Sequence, residues 1–197
     1  MTETMKAFVL RNFDEEPVVS DVPAPPFGSS NLIVRVHAAS INGWDSAVAA
    51  GYLREMMPYE FPVTLGKDFA GVVQSVGEAV TGFSMGDEVF GFLTTGASLH
   101  EGSIAELIAV PENGFVALKP ANLDSEEAAA LAFAGSAALV AVDAIHPSER
   151  DTILINGATG GVGSVAVQLA SKRGAKVFAT ALPGDEEYLR DLGASET

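Results

Sequence analysis

The chain has 197 residues, 48% hydrophobic and 19% charged, with 26 acids against 11 bases and a net charge of −15. That length allows one or two small domains with a real core. The acidity repels nucleic acid and anionic membranes and serves solubility, and the absence of cysteine excludes disulfides and thiolate zinc sites.

The N-terminal stretch MTETMKAFVL lacks the basic start and long apolar core of a secretory signal, so a cytoplasmic protein is expected. Up to about Lys119 the chain reads as short strands: MKAFVL, NLIVRVHAAS, FAGVVQSVG, DEVFGFL and SIAELIAV, with Gly, Pro and Asp between them. Such spacing predicts an antiparallel barrel or sandwich. From Pro120 the texture changes. Asp124 and Glu127 stand three apart before an apolar run, a capping box opening a helix, and a second helix is expected after Ser136. The apolar stretch from Ala128 to Val142 is shorter than a membrane span and carries a Gly-Ser break, so it reads as buried helix.

The run TILIN from Thr152 predicts a strand covered on both faces. Apolar residues at 162, 165, 166, 169 and 170 then repeat at helical spacing, and Lys172, Arg173 and Gly174 supply a basic last turn and C-cap. KVFATA is a second buried strand, giving β-α-β.

Between the first strand and its helix, Ala158, Gly160 and Gly163 occupy the positions of G-x-G-x-x-G. The second glycine lets a pyrophosphate approach the backbone, the third lets helix and strand pack closely, and the helix N-terminus near Val162 favours the anion. Ala158, Thr159, Gly160, Gly161, Val162 and Gly163 are therefore the expected dinucleotide contacts; a purely structural turn is the competing reading. A P-loop is excluded, because Gly163 is followed by Ser164 and Val165. The G-x-x-G-x-x-G spacing of some short-chain dehydrogenases is also met by Gly157, Gly160 and Gly163, but their motif stands at the start of the chain. At the end of the second strand, Thr180 and Ala181 replace the acid that holds a ribose 2′-OH, which favours NADP(H) over NAD(H). The acidic GDEE of Gly184–Glu187 opposes that preference.

The stretches AASINGWD from Ala38, FPVTLGKDFAGVV from Phe61, VGEAVTGFSMGDEVFG from Val76, PANLDSEEAAAL and GATGGVGSVAVQLA together resemble the medium-chain dehydrogenase/reductase superfamily, in its zinc-independent quinone oxidoreductase-like branch. The resemblance implies α/β plus β architecture: a GroES-like barrel over residues 1–120, then linker helices and the first, truncated β-α-β portion of a Rossmann domain over 121–197, with the active site in the cleft between them. It also implies that a homodimer is possible. Where the zinc-dependent branch has a cysteine and a histidine, this chain has Asn42 and Lys67, so no zinc is expected; His37, His100 and His146 are not at ligand spacing. The activity implied is hydride transfer to a quinone or α,β-unsaturated carbonyl.

In that chemistry Asn42 is implied as a hydrogen-bonding group and Lys67 as a stabiliser of an enolate, against the competing reading of Lys67 as an ion-pair partner of Asp45 or Asp68. Tyr52, Tyr59 and Phe61 either line a quinone pocket or pack loops. The family often has threonine where this chain has Ala137, near the nicotinamide; either Ser136 substitutes for it or the hold on the cofactor is weaker. Only sixteen residues follow Ala181, so the second half of a Rossmann domain is expected to be missing and turnover by this chain alone to be low. The alternative is a non-catalytic module acting by association through an exposed sheet edge.

Overall fold

The structure, a computed structural model, describes residues 4–197. Residues 1–3, where the stretch read for a signal begins, lie outside the described residues. The chain divides into two compact units, residues up to Ala132 and Phe133–Thr197.

In the first unit β1 (Thr4–Leu10), β2 (Val18–Pro23) and β4 (Val63–Thr64) form a three-stranded sheet in the order β2-β1-β4. A second sheet joins β3 (Asn31–Ala38), β5 (Asp68–Val76), β6 (Glu88–Phe92), β7 (Leu107–Pro111) and β8 (Phe115–Leu118) in the order β7-β3-β5-β6-β8. Every pairing between these strands is antiparallel. The apolar runs explain the core: Leu32 and Val34 of β3, Phe69 and Val73 of β5, Val89 of β6, and Ile108 and Val110 of β7 form one buried cluster. Each such side chain contributes about 1.5–3 kcal/mol on burial. A short helix α1 (Gly43–Ala49) follows β3. The sequence reading missed β2, β4, β8 and α1: the first three are brief or polar, and α1 is seven residues long, too short to show a period.

Asp124 and Glu127 form the expected capping box, with Glu127 N donating to Asp124 Oδ1 at 2.8 Å and Asp124 N to Glu127 Oε2 at 3.1 Å. The helix they open, α2 (Ser125–Ile145), runs unbroken for 21 residues instead of ending at Gly135 and Ser136. One glycine costs about 1 kcal/mol in a helix, and the surrounding alanines and leucines outweigh it. By length and composition α2 is sufficient to cross a membrane, contrary to the shorter span read from Ala128–Val142. Ala128 and Ala129 belong to a cluster in the first unit, with Ala70, while Ala138 and Val142 pack with Ala166 in the second.

The second unit holds β9 (Thr152–Ile155), α3 (Gly161–Lys172), β10 (Lys176–Ala179) and α4 (Glu186–Asp191), the last unforeseen. β9 and β10 pair in parallel with Ile153 opposite Val177. Arg173 caps α3 and Gly174 follows at φ +90°, as the basic turn and glycine predict. One expectation fails. β9 alternates rather than being covered on both faces, with Ile153 and Ile155 turned to the core and Leu154 68% exposed. The predicted stripe of α3 largely holds: Ala166 and Ala170 are buried and Val165 and Leu169 half-buried in the core clusters, Val162 at its start is exposed, and Val167, outside the predicted set, is fully buried in a cluster with Val177 and Leu189.

Candidate functional site

Two separate constellations carry chemistry. In the second unit the loop between β9 and α3 turns at Gly157, whose φ of +70° suits glycine. Gly157 N donates to Asn156 Oδ1 and to Thr180 Oγ1, both at 3.1 Å, and Thr180 Oγ1 donates to Asn156 Oδ1 at 2.9 Å. Thr180 therefore ties the end of β10 to the loop. Ala158 is fully buried and Ala181 packs on the same cluster, so both shape the loop from beneath. Gly160 caps α3 with no side-chain cap bond, and Gly161 and Val162 are exposed in its first turn, where the backbone N–H groups have no intrahelical partner. A Cβ on Gly163 would sit 2.2 Å from Gly157 O, so this crossing of loop and helix requires glycine. An open hollow of about 570 Å³ lies against Gly157, Gly160–Gly163, Leu154 and Ile145. Donors, dipole and glycine contact together fit a pyrophosphate. Thr159 lies within the same turn.

In the first unit the turn into α1 is built on two acids. Asp45 Oδ2 accepts from Asn42 N at 2.7 Å and Asp45 Oδ1 from Gly66 N at 3.0 Å, which fixes the start of α1 to the residue before Lys67. Asp68, 0% exposed, accepts from Asn42 Nδ2 at 2.6 Å and from Ser40 Oγ. The Asn42 amide is therefore held inside a carboxylate network. Sequence reasoning missed the roles of Ser40 and Asp68; an acid opening the buried run FAGVV was the available signal.

Lys67 is 7% exposed. Its Nζ donates to Thr95 Oγ1 at 2.6 Å and stands 5.7 Å from the centre of the Trp44 ring. Burial pushes the ammonium below the ordinary lysine range, and the charges of Asp45 and Glu101 oppose that shift. Folding therefore disfavours the charged form, and stability rises as pH climbs from the folded value toward the ordinary lysine value. Lys67→Met is expected to raise the melting temperature at pH 7 by about 2–4 °C, with the gain shrinking as pH approaches the ordinary lysine value; thermal unfolding followed across pH checks this.

Tyr59 and Phe61 pack edge-on with Phe13, at 4.7 and 5.0 Å between ring centres, and Tyr59 OH donates to Val48 O at 3.1 Å. This cluster ties loops together. Tyr52 is 78% exposed and outside it. Ser136 and Ala137 lie mid-way along α2. His37, His100 and His146 are exposed, and no three His, Asp or Glu side chains gather at metal-binding distance among the described residues.

Residues 28–120 match the alcohol dehydrogenase GroES-like domain. The chain is 36% identical to the 2-methylene-furan-3-one reductase of Solanum lycopersicum over 204 residues, covering 96% of this chain and 50% of that protein. It is 36% identical to the quinone oxidoreductase of Rattus norvegicus over 173 residues, covering 85% and 48%. Among solved structures, the quinone oxidoreductase from Coxiella burnetii superposes with a TM-score of 0.88 at 30% identity, covering 98% of this chain and 62% of that one. An alcohol dehydrogenase superfamily protein from Novosphingobium aromaticivorans gives 0.87 at 37% identity, covering 98% and 58%. The chain spans about half the length of the curated relatives it matches.

Proposed function

The chain belongs to the medium-chain dehydrogenase/reductase superfamily, in its quinone oxidoreductase-like branch, and on that premise we propose that the whole protein is a zinc-independent reductase of quinones or α,β-unsaturated carbonyls, with NADPH as the favoured donor and NADH the alternative. The observation that carries the reading is the contact between Gly163 and Gly157, which leaves room for nothing larger than hydrogen where the loop meets the helix bearing the anion-binding N–H groups. Bound there, a nicotinamide dinucleotide supplies a hydride. The chain's own contribution is to cradle the pyrophosphate with Gly160–Gly163 and to steady the loop through Asn156 and Thr180. The division into a GroES-like unit over residues 1–120 and nucleotide-binding segments from 121 onward is part of this proposal, as is a cytoplasmic setting.

Zinc independence is supported by the donor set. Asn42 offers an amide already bound to Asp68, and Lys67 an ammonium without a lone pair. Lys67 then serves to balance negative charge developing on the acceptor oxygen, and Asn42 holds the carboxylate network in register. Tyr59 and Phe61, packed with Phe13, steady the loops of this unit. Calorimetric titration of the chain with NADPH and with NADH tests the proposal: binding with preference for NADPH is expected, and a folded chain that binds neither sinks the reading.

A further inference from the structure

β6 ends at Phe92, and Leu93 N donates to Lys67 O at 2.9 Å, so the loop that follows is anchored at the lysine's own backbone. That loop, Thr94–Glu101, is pinned at its far end where Leu99 N donates to Pro58 O and Thr64 N to His100 O. It encloses a polar cavity of about 220 Å³, lined by Lys67, Thr94, Thr95, Ser98, His100 and Glu101 among others, with Lys67 its only lysine or arginine. An ammonium carries three N–H donors. Thr95 takes one, and the other two have no protein acceptor among the described residues. A largely buried cation with spare donors facing a polar hollow suits an oxygen ligand.

We propose that this cavity receives the carbonyl oxygen of the acceptor and that Lys67, held in place by Thr95, donates the proton that completes the reduction. The inference rests on the reductase reading, with NADPH or NADH as reductant. When hydride reaches the β-carbon of an enone, the C=C electron pair shifts toward the carbonyl and leaves an enolate oxyanion. One N–H bond of Lys67 breaks, its electron pair stays on Nζ as a neutral amine, and the proton passes to the enolate oxygen; the enol so formed tautomerises to the saturated carbonyl, its O–H proton lost to water and a proton gained at the α-carbon. Water entering the cavity returns a proton to the amine. The acceptor thus gains one hydride and one proton, and the reductant loses one hydride.

Thr95 is a positioning residue: it fixes a four-carbon stem that otherwise samples many rotamers. The groups around Nζ are Trp44 and Asp45 of α1, Thr95, and Glu101, with His100 and Glu60 also lining the cavity. The cavity is smaller than ordinary drug-sized pockets, so the class of acceptor is a single-ring quinone or a short enone.

The test uses p-nitrophenol, a one-ring probe whose ionisation is read by absorbance, bound to the 197-residue chain. The expected result is a pKa lowered by about one unit on binding, tenfold in the ratio of phenolate to phenol. Lys67→Met should abolish the shift, Thr95→Val reduce it and Thr95→Ser keep it. In the free chain, the Lys67 side chain followed by NMR should titrate below the other lysines, and Thr95→Val should lower its pKa further by removing an acceptor for the ammonium. The proposal is overturned if the probe does not bind, if it ionises equally in Lys67→Met, or if Lys67 titrates with the surface lysines. Failure of the reductase reading shows separately, in the nucleotide titration.

Discussion

Gly163→Val is expected to abolish dinucleotide binding, with a loss of at least about a hundredfold in affinity, and to destabilise the second unit by about 1–3 kcal/mol. The added Cβ would lie 2.2 Å from Gly157 O and 2.8 Å from Ala158 Cα, and both contacts are backbone, so no side chain can swing aside. Helix and loop must separate, which withdraws the N–H groups of Gly161 and Val162 from the phosphate position and opens the packing of Val167 on Val177. Calorimetry with NADPH reads the first effect and chemical denaturation the second. Retained affinity would show that the loop binds no pyrophosphate.

The second large effect belongs to Asp68. Removing its carboxylate by Asp68→Leu takes the charged acceptor from the half-buried Ser40 hydroxyl and Asn42 amide, leaving Asn42 Nδ2 only its 3.3 Å bond to Ser40 Oγ. Hydrogen bonds to a charged group contribute about 1.5–3 kcal/mol each, so a loss of roughly 3 kcal/mol or more is expected, measurable as a fall of about 6–12 °C in melting temperature. Asp68→Asn keeps the shape and one acceptor oxygen and should fall by less than half as much. Equal stability of both variants with the parent would mean that Asn42 is held by α1 alone.

Much of this architecture is legible in the sequence because its elements announce themselves locally. MKAFVL, NLIVRVHAAS and FAGVVQSVG alternate or run apolar, and Asp124 with Glu127 specifies a helix start that the structure reproduces bond for bond. The glycine spacing likewise identifies the turn before any coordinates. What stayed hidden depends on partners distant in sequence. Val167 shares its buried cluster with Leu189 of α4 as well as Val177 of β10, and α4 is six residues long with acids in its first turn. The unbroken course of α2 depends on summed alanine propensity outweighing one glycine. Lys67 was noticed for where it stands, but its partner Thr95 lies 28 residues away, and only the β5–β6 register, with Asp68 opposite Phe92, brings the two loops together.

Trp44, whose ring stands 5.7 Å from the Lys67 nitrogen, is the one tryptophan of the chain. The protein therefore carries a single built-in chromophore beside the group assigned to proton transfer. Its emission reports this one corner, where the Lys67 ammonium and the Asp45 carboxylate both act on it, and an electron-poor ring entering the neighbouring cavity quenches it. Occupancy and protonation of this corner can thus be followed by light, without a label and without turnover.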